Sequence, residues 1–227
     1  MSINLHYKEA GTGAPLLLLH GNGENHEYFV HQIEYFSNFY HVYALDTRGH
    51  GKSPRGEEPF TIAQFAEDLH DFMLEHDITK AHILGFSDGG NIALVFALKY
   101  PEMVDKLILN GANLNAKGVK PSVQIPIVLG YKMASCFAKK SPDAKANAEM
   151  LGLMVNDPNI DPPELRKLTM KTLVIAGTKD MIKASHTRLI ADNLPNAELV
   201  LLEGDHFIAN KQWKQFNEVV EQFLKNC

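Results

Sequence analysis

The stretch Ala81-His82-Ile83-Leu84-Gly85-Phe86-Ser87-Asp88-Gly89-Gly90-Asn91 limits what this chain can fold into more than any other. An apolar run stops at a serine bracketed by glycines, and a second apolar run, residues 92–98, continues until Tyr100-Pro101 ends it. A G-x-S-x-G turn between a strand and a helix holds its serine in a strained backbone conformation and lifts the hydroxyl into the open: a nucleophile elbow. Glycines at 85 and 89 let strand and helix pass closely, and Gly90 lets the helix lie against a neighbouring strand. The five residues alone fit an ordinary strand-to-helix connection equally well. The strand before and the helix after give them meaning.

The rest of the chain supplies the sheet that such a turn needs. Ile3, Leu5 and Tyr7 alternate with polar residues and predict a half-exposed strand. Pro15-Leu16-Leu17-Leu18-Leu19 is too short for a helix and reads as a strand covered on both faces. It ends in His20-Gly21-Asn22-Gly23, a loop whose backbone amides can point into a cavity. His41-Val42-Tyr43-Ala44-Leu45 predicts a further strand, leading into Asp46-Thr47-Arg48-Gly49-His50-Gly51-Lys52-Ser53. That loop is no phosphate-binding turn. Residue 46 would have to be glycine, and Ser53-Pro54-Arg55-Gly56-Glu57-Glu58-Pro59 forbids the helix that must follow.

Thr61 caps a helix with Ile62, Phe65, Ala66, Leu69, Phe72 and Met73 on one face. Strands follow over residues 104–110, 171–176 and 198–202, with a crossover helix around Leu189, Ile190 and Leu194. Trp213, Phe216, Val219, Val220, Phe223 and Leu224 form one face of a terminal helix. Residues 113–168 show no strand, only separate apolar patches such as Ile125-Pro126-Ile127-Val128-Leu129 and Met150-Leu151-Gly152-Leu153-Met154. They predict an inserted lid of short helices over a pocket, a satellite hydrophobic cluster being the other reading. The expectation is one α/β domain over residues 1–227, its mostly parallel central sheet covered by helices on both faces.

A net charge of −5 offers no basic footprint for nucleic acid or an anionic membrane surface, so a small-molecule substrate, neutral or cationic, is expected. Two cysteines, Cys136 and the last residue Cys227, make no disulfide framework. No basic-then-apolar leader opens the chain and no run is long enough for a membrane span, which predicts a soluble, cytoplasmic protein.

Serine is a poor nucleophile unless a histidine takes its proton and a carboxylate orients that histidine. The strand ends Gly177-Thr178-Lys179-Asp180 and Glu203-Gly204-Asp205-His206 supply both, in the order serine, acid, histidine that accompanies this turn on parallel sheets. Asp205 competes as the acid, but an immediate sequence neighbour has difficulty reaching the imidazole. Of the remaining histidines, His6, His41, His70, His82 and His186 read as packing or surface residues, and His20 and His50 as braces for the loops they adjoin. His26-Glu27 with His31 departs from the zinc pattern, since five residues place the two imidazoles about 140° apart around a helix. Glu24 is a contact for a cationic substrate group or, more plainly, an exposed surface glutamate.

These segments together resemble the α/β-hydrolase superfamily over nearly the full length, in kind and in order. The resemblance implies Ser87 as nucleophile, Asp180 as acid and His206 as base, with the backbone N–H groups of Asn22 and Asp88 as the oxyanion hole; the position of Asp88 at the start of the helix reads its side chain as a cap. It implies hydrolysis of a small carboxylic ester or related acyl compound through an acyl-enzyme, with no metal or cofactor. The same triad serves lyases, C–C bond hydrolases, perhydrolases and acyltransferases, and a ligand receptor could keep the fold without chemistry. A receptor has no need of all three residues. The lid carries no matching motif, so the substrate is not implied.

Overall fold

In a computed structural model describing residues 3–226, seven strands form one sheet in the order β1-β3-β2-β4-β5-β6-β7. The strands are β1 (Tyr7–Ala10), β2 (Pro15–Leu19), β3 (His41–Leu45), β4 (Ala81–Phe86), β5 (Val104–Asn110), β6 (Lys171–Gly177) and β7 (Ala197–Leu202). Only β1 runs antiparallel to its neighbour; β2 to β7 are parallel and their carboxyl ends share one edge.

The apolar runs of the middle strands are explained by two cores. Leu17, Leu19, Ile83, Leu107, Leu109 and Val174 face α2 (Ile62–Glu75), α3 (Asp88–Lys99) and α6 (Ala184–Asn193). Their sequence neighbours Leu16, Leu18, Leu84, Ile108 and Leu173 face α1 (Val30–Phe36), α7 (Ile208–Lys211) and α8 (Trp213–Lys225). Successive side chains alternate faces, so a strand buried on both sides must be apolar throughout. Thr61 Oγ1 caps α2 by accepting from the Gln64 N–H at 3.2 Å, and α8 buries Phe216, Val220, Phe223 and Leu224.

Two expectations are corrected. The first strand begins at Tyr7 rather than Ile3. His6 instead bonds across the Asp46 loop, its C=O accepting from the Asp46 N–H at 2.8 Å and its N–H donating to Ser53 Oγ at 2.8 Å. The region 113–168 has short helical turns only at its ends, Ala116–Gly118 and Pro162–Lys167, and is otherwise a hairpin of two long helices, α4 (Pro121–Phe137) and α5 (Pro142–Asn156), 17 and 15 residues long. Pro126, Gly130 and Gly152 sit inside these helices and disguise them in the sequence. The hairpin leaves the sheet through a narrow neck, where the Ile160 N–H donates to the Leu114 C=O at 3.0 Å. Cys136 is a free, exposed thiol, and Cys227 lies outside the described residues. No described helix is long and apolar enough to cross a membrane.

Candidate active site

Ser87 sits between β4 and α3 with φ 53° and ψ −119°, a positive φ shared by only one other described non-glycine residue, Asp77. Such a conformation costs roughly 1–3 kcal/mol and persists only where the surroundings impose it. Here they do. The Ser87 N–H donates to the Asn110 C=O at 2.8 Å, and the Ser87 C=O accepts from the Asn91 N–H at 3.1 Å. A Cβ on Gly85 would collide with the Gly89 carbonyl, one on Gly89 with the Leu19 carbonyl, and one on Gly90 would stand 2.9 Å from Ala112 Cβ. The three glycines therefore let α3 cross the sheet at backbone contact.

Ser87, Asp180 and His206 meet at the carboxyl edge, 9%, 3% and 4% exposed. His206 Nε2 lies 3.0 Å from Ser87 Oγ and Nδ1 lies 2.7 Å from Asp180 Oδ1. Asp180 Oδ1 also accepts the Ile182 N–H at 2.8 Å, which fixes the carboxylate plane. Its second oxygen is buried and meets no donor among the described residues. Asp205 is elsewhere, holding Lys211 and accepting the Phe207 N–H at 2.9 Å.

The loop after β2 closes the other side. Gly21 abuts the serine so closely that a Cβ there would lie 3.1 Å from Ser87 Cβ. Asp88 opens α3, where a backbone N–H has no partner within the helix. Among the described residues neither the Asp88 nor the Asn22 N–H has an acceptor. His20 braces this loop as expected: Nδ1–H donates to the Gly21 C=O at 2.7 Å and Nε2 accepts the Thr47 N–H at 3.0 Å. That arrangement needs the neutral ring, and burial holds the His20 pKa down at about 4.

Other residues here escaped the sequence reading. The Asn22 side chain donates from Nδ2 to Asp88 Oδ2 and to the Met150 C=O of α5, both at 2.9 Å. Asp88 Oδ1 accepts from Asn91 Nδ2 at 3.1 Å, and Asn91 Oδ1 accepts the Asn113 N–H at 2.8 Å. The Asp88 carboxyl is thus a buried junction rather than a cap, and burial raises its pKa. Gly111, with φ 63°, leaves the space that the imidazole fills, since a Cβ would stand 2.7 Å from His206 Cε1. Its only signal was a glycine ending a strand. Phe86 and Phe207 flank the imidazole with ring centroids 4.8 and 5.6 Å away.

Glu24 is not the exposed glutamate expected. A tight turn folds it back, so that Oε2 accepts the Gly21 N–H at 3.3 Å while the Glu24 N–H bonds the Gly21 C=O. Its half-burial pushes the carboxyl pKa up to about 7. His26 and His31 part ways: His31 stacks on Trp213, while His26 and His6 bond the two oxygens of Asp46 at 2.8 and 2.9 Å. The same oxygens accept the His26 and Lys52 N–H groups, which makes Asp46 the organiser of its loop.

The alpha/beta hydrolase fold family matches residues 14–130, just over half of the chain. The chain belongs to that family. Serine hydrolase BPHL from Homo sapiens is 28% identical over 249 residues, covering 98% of this α/β-hydrolase and 84% of the human protein. The 3-oxoadipate enol-lactonase 2 of Acinetobacter baylyi is 26% identical over 255 residues, covering 98% and 94%. In three dimensions the enol-lactonase from Burkholderia xenovorans LB400 has the same fold, with a TM-score of 0.84 at 21% identity over 99% and 98% of the two chains. By family, then, the protein is a hydrolytic enzyme.

Proposed function

We propose that this enzyme hydrolyses a small carboxylic ester or lactone through an acyl-enzyme on Ser87. The observation that carries the reading is the pair of contacts on one imidazole, 3.0 Å to Ser87 Oγ and 2.7 Å to Asp180 Oδ1. His206 Nε2 takes the hydroxyl proton as Oγ attacks the carbonyl carbon, and Asp180 holds Nδ1–H and balances the imidazolium. The oxyanion sits between the Asn22 and Asp88 N–H groups, each such donor supporting on the order of 10²-fold in rate. His206 then passes its proton to the leaving oxygen. Water attacks the acyl carbon with His206 again as base, restoring Ser87.

The single domain carries residues 113–168 as a lid, tied to the oxyanion loop through Asn22 and Met150. The relatives' names support an ester-like bond, an enol-lactone being a cyclic ester. The enzyme works in the cytoplasm on a small acyl compound and needs no nucleic acid, metal or cofactor.

A fluorophosphonate probe tests the assignment. The wild type is expected to label on Ser87, and turnover of a short aryl ester is expected to fall by about 10³-fold or more in Ser87→Ala and His206→Ala. Full labelling of Ser87→Ala would defeat it.

A further inference from the structure

A row of apolar side chains on α4 faces solvent. Ile125, Leu129, Met133 and Phe137 are 59%, 61%, 68% and 58% exposed. Their four-residue spacing keeps them along one side of the helix, over about 18 Å of its length. The opposite side attaches α4 to α5: Tyr131 Oη accepts from Asn156 Nδ2 at 3.2 Å, and Gln124 Nε2 donates to the Met154 C=O at 3.1 Å. The row is therefore not the face that holds the hairpin together. Single exposed apolar residues are ordinary, but a contiguous row of this size marks a contact surface.

Charge says what it contacts. Residues 116–142 contain five lysines, Lys117, Lys120, Lys132, Lys139 and Lys140, and no Asp or Glu. The chain as a whole is −5, so everything outside this segment carries −10. Among the described residues none of the five lysines forms an ion pair. Lys132, seven residues on from Ile125, stands at the margin of the row. An apolar stripe with Lys132 at its margin, on a segment that carries five lysines and no acidic residue, suits a helix that lies in a lipid headgroup boundary. Pairing two copies stripe to stripe would instead bring together two segments that are both positive and carry no acidic residue. The average charge that argues against an anionic surface hides a local excess of the opposite sign.

We propose that α4 docks on an anionic phospholipid surface, its apolar row entering the headgroup boundary and its lysines meeting the lipid phosphates. This goes beyond the reaction at Ser87 and does not depend on it.

Co-sedimentation of the full chain with vesicles tests the proposal. Binding is expected to equal mixtures of phosphatidylcholine and phosphatidylglycerol at 0.1 M salt, falling at least about tenfold on pure phosphatidylcholine or at 0.5 M salt. The double variant Leu129→Asp/Met133→Asp is expected to lose binding while keeping wild-type ester turnover. Should that variant not fold, Lys139→Gln/Lys140→Gln carries the test with the same expectation. An environment-sensitive fluorophore on Cys136, exposed on the same side, is expected to shift to the blue with anionic vesicles in a Cys227→Ser background. A wild type that stays in the supernatant with anionic vesicles would overturn the proposal, as would an aspartate variant that binds unchanged. So would a wild-type dimer in sedimentation velocity that the aspartate variant abolishes, since the row would then be covered by a second copy.

Discussion

The carboxyl edge of the sheet and the α4–α5 hairpin differ in how tightly each side chain is held. At the edge, His206 is bonded through both ring nitrogens, Asp180 Oδ1 has two donors, and Ser87 is bonded through its backbone N–H and C=O as well as Oγ. Along α4 no residue is buried, and α5 buries only Ala148 and Leu153. A few polar links join the hairpin to the rest: Asn22 to Met150, and Arg55 to Glu149 with Nε and Nη2 each 2.8 Å from a carboxylate oxygen. Geometry that must be right to a few tenths of an ångström is built into a core that cannot relax, whereas the surface that meets partners rests on a scaffold that can.

The largest expected effect tests the rigid half. Gly89→Ala drives a Cβ into the Leu19 carbonyl, backbone against backbone, where no side chain can turn away. A loss of about 3–5 kcal/mol, or failure to fold, is expected in urea unfolding. A loss under about 1 kcal/mol would mean that the elbow yields, and the contrast with the hairpin would be one of degree.

What could be read beforehand follows the same division. Ser87, Asp180 and His206 were legible because each lies at or just beyond the end of a predicted strand, and parallel strands bring their ends to one edge. The two faces of the sheet were legible in the unbroken apolar runs. The Asn22 side chain, the space at Gly111 and the folded-back Glu24 were not, because each depends on a partner distant in sequence or on the exact path of a turn. Helices α4 and α5 were hidden by Pro126, Gly130 and Gly152, residues that lower helix propensity yet are tolerated once two helices pack together. The first strand was misplaced because His6 bonds the Asp46 loop instead of the ladder, a choice set by tertiary contact rather than by alternation.

A smaller effect is expected where the two halves join. Asn22→Ala keeps the backbone N–H but removes the donor shared by Asp88 Oδ2 and the Met150 C=O. Losing these bonds is expected to lower kcat about tenfold, equivalent to ~1.4 kcal/mol, and to speed amide hydrogen exchange in α5 around Met150. Stopped assays and exchange measured on one preparation separate the possibilities. Unchanged turnover with faster exchange would make Asn22 a tether only, and unchanged values of both would show that edge and hairpin are not coupled there.

The smallest expected effect has the opposite sign to the first. In α5, a Cβ on Gly152 would meet Tyr131 Cε2 at 3.4 Å and Asn156 Nδ2 at 3.7 Å, ordinary contact distances. Gly152→Ala therefore adds no clash and removes backbone freedom from the unfolded chain, worth about 0.5–1 kcal/mol of stabilisation. Where that gain is felt decides how separate the hairpin is. Slower hydrogen exchange confined to α4 and α5, with an unchanged urea midpoint, would make the hairpin a unit that opens by itself. A raised midpoint would place it inside the same cooperative unit as the sheet. A loss of stability would show that Tyr131 cannot give way and that the hairpin is packed as strictly as the elbow, which would undo the comparison at its root.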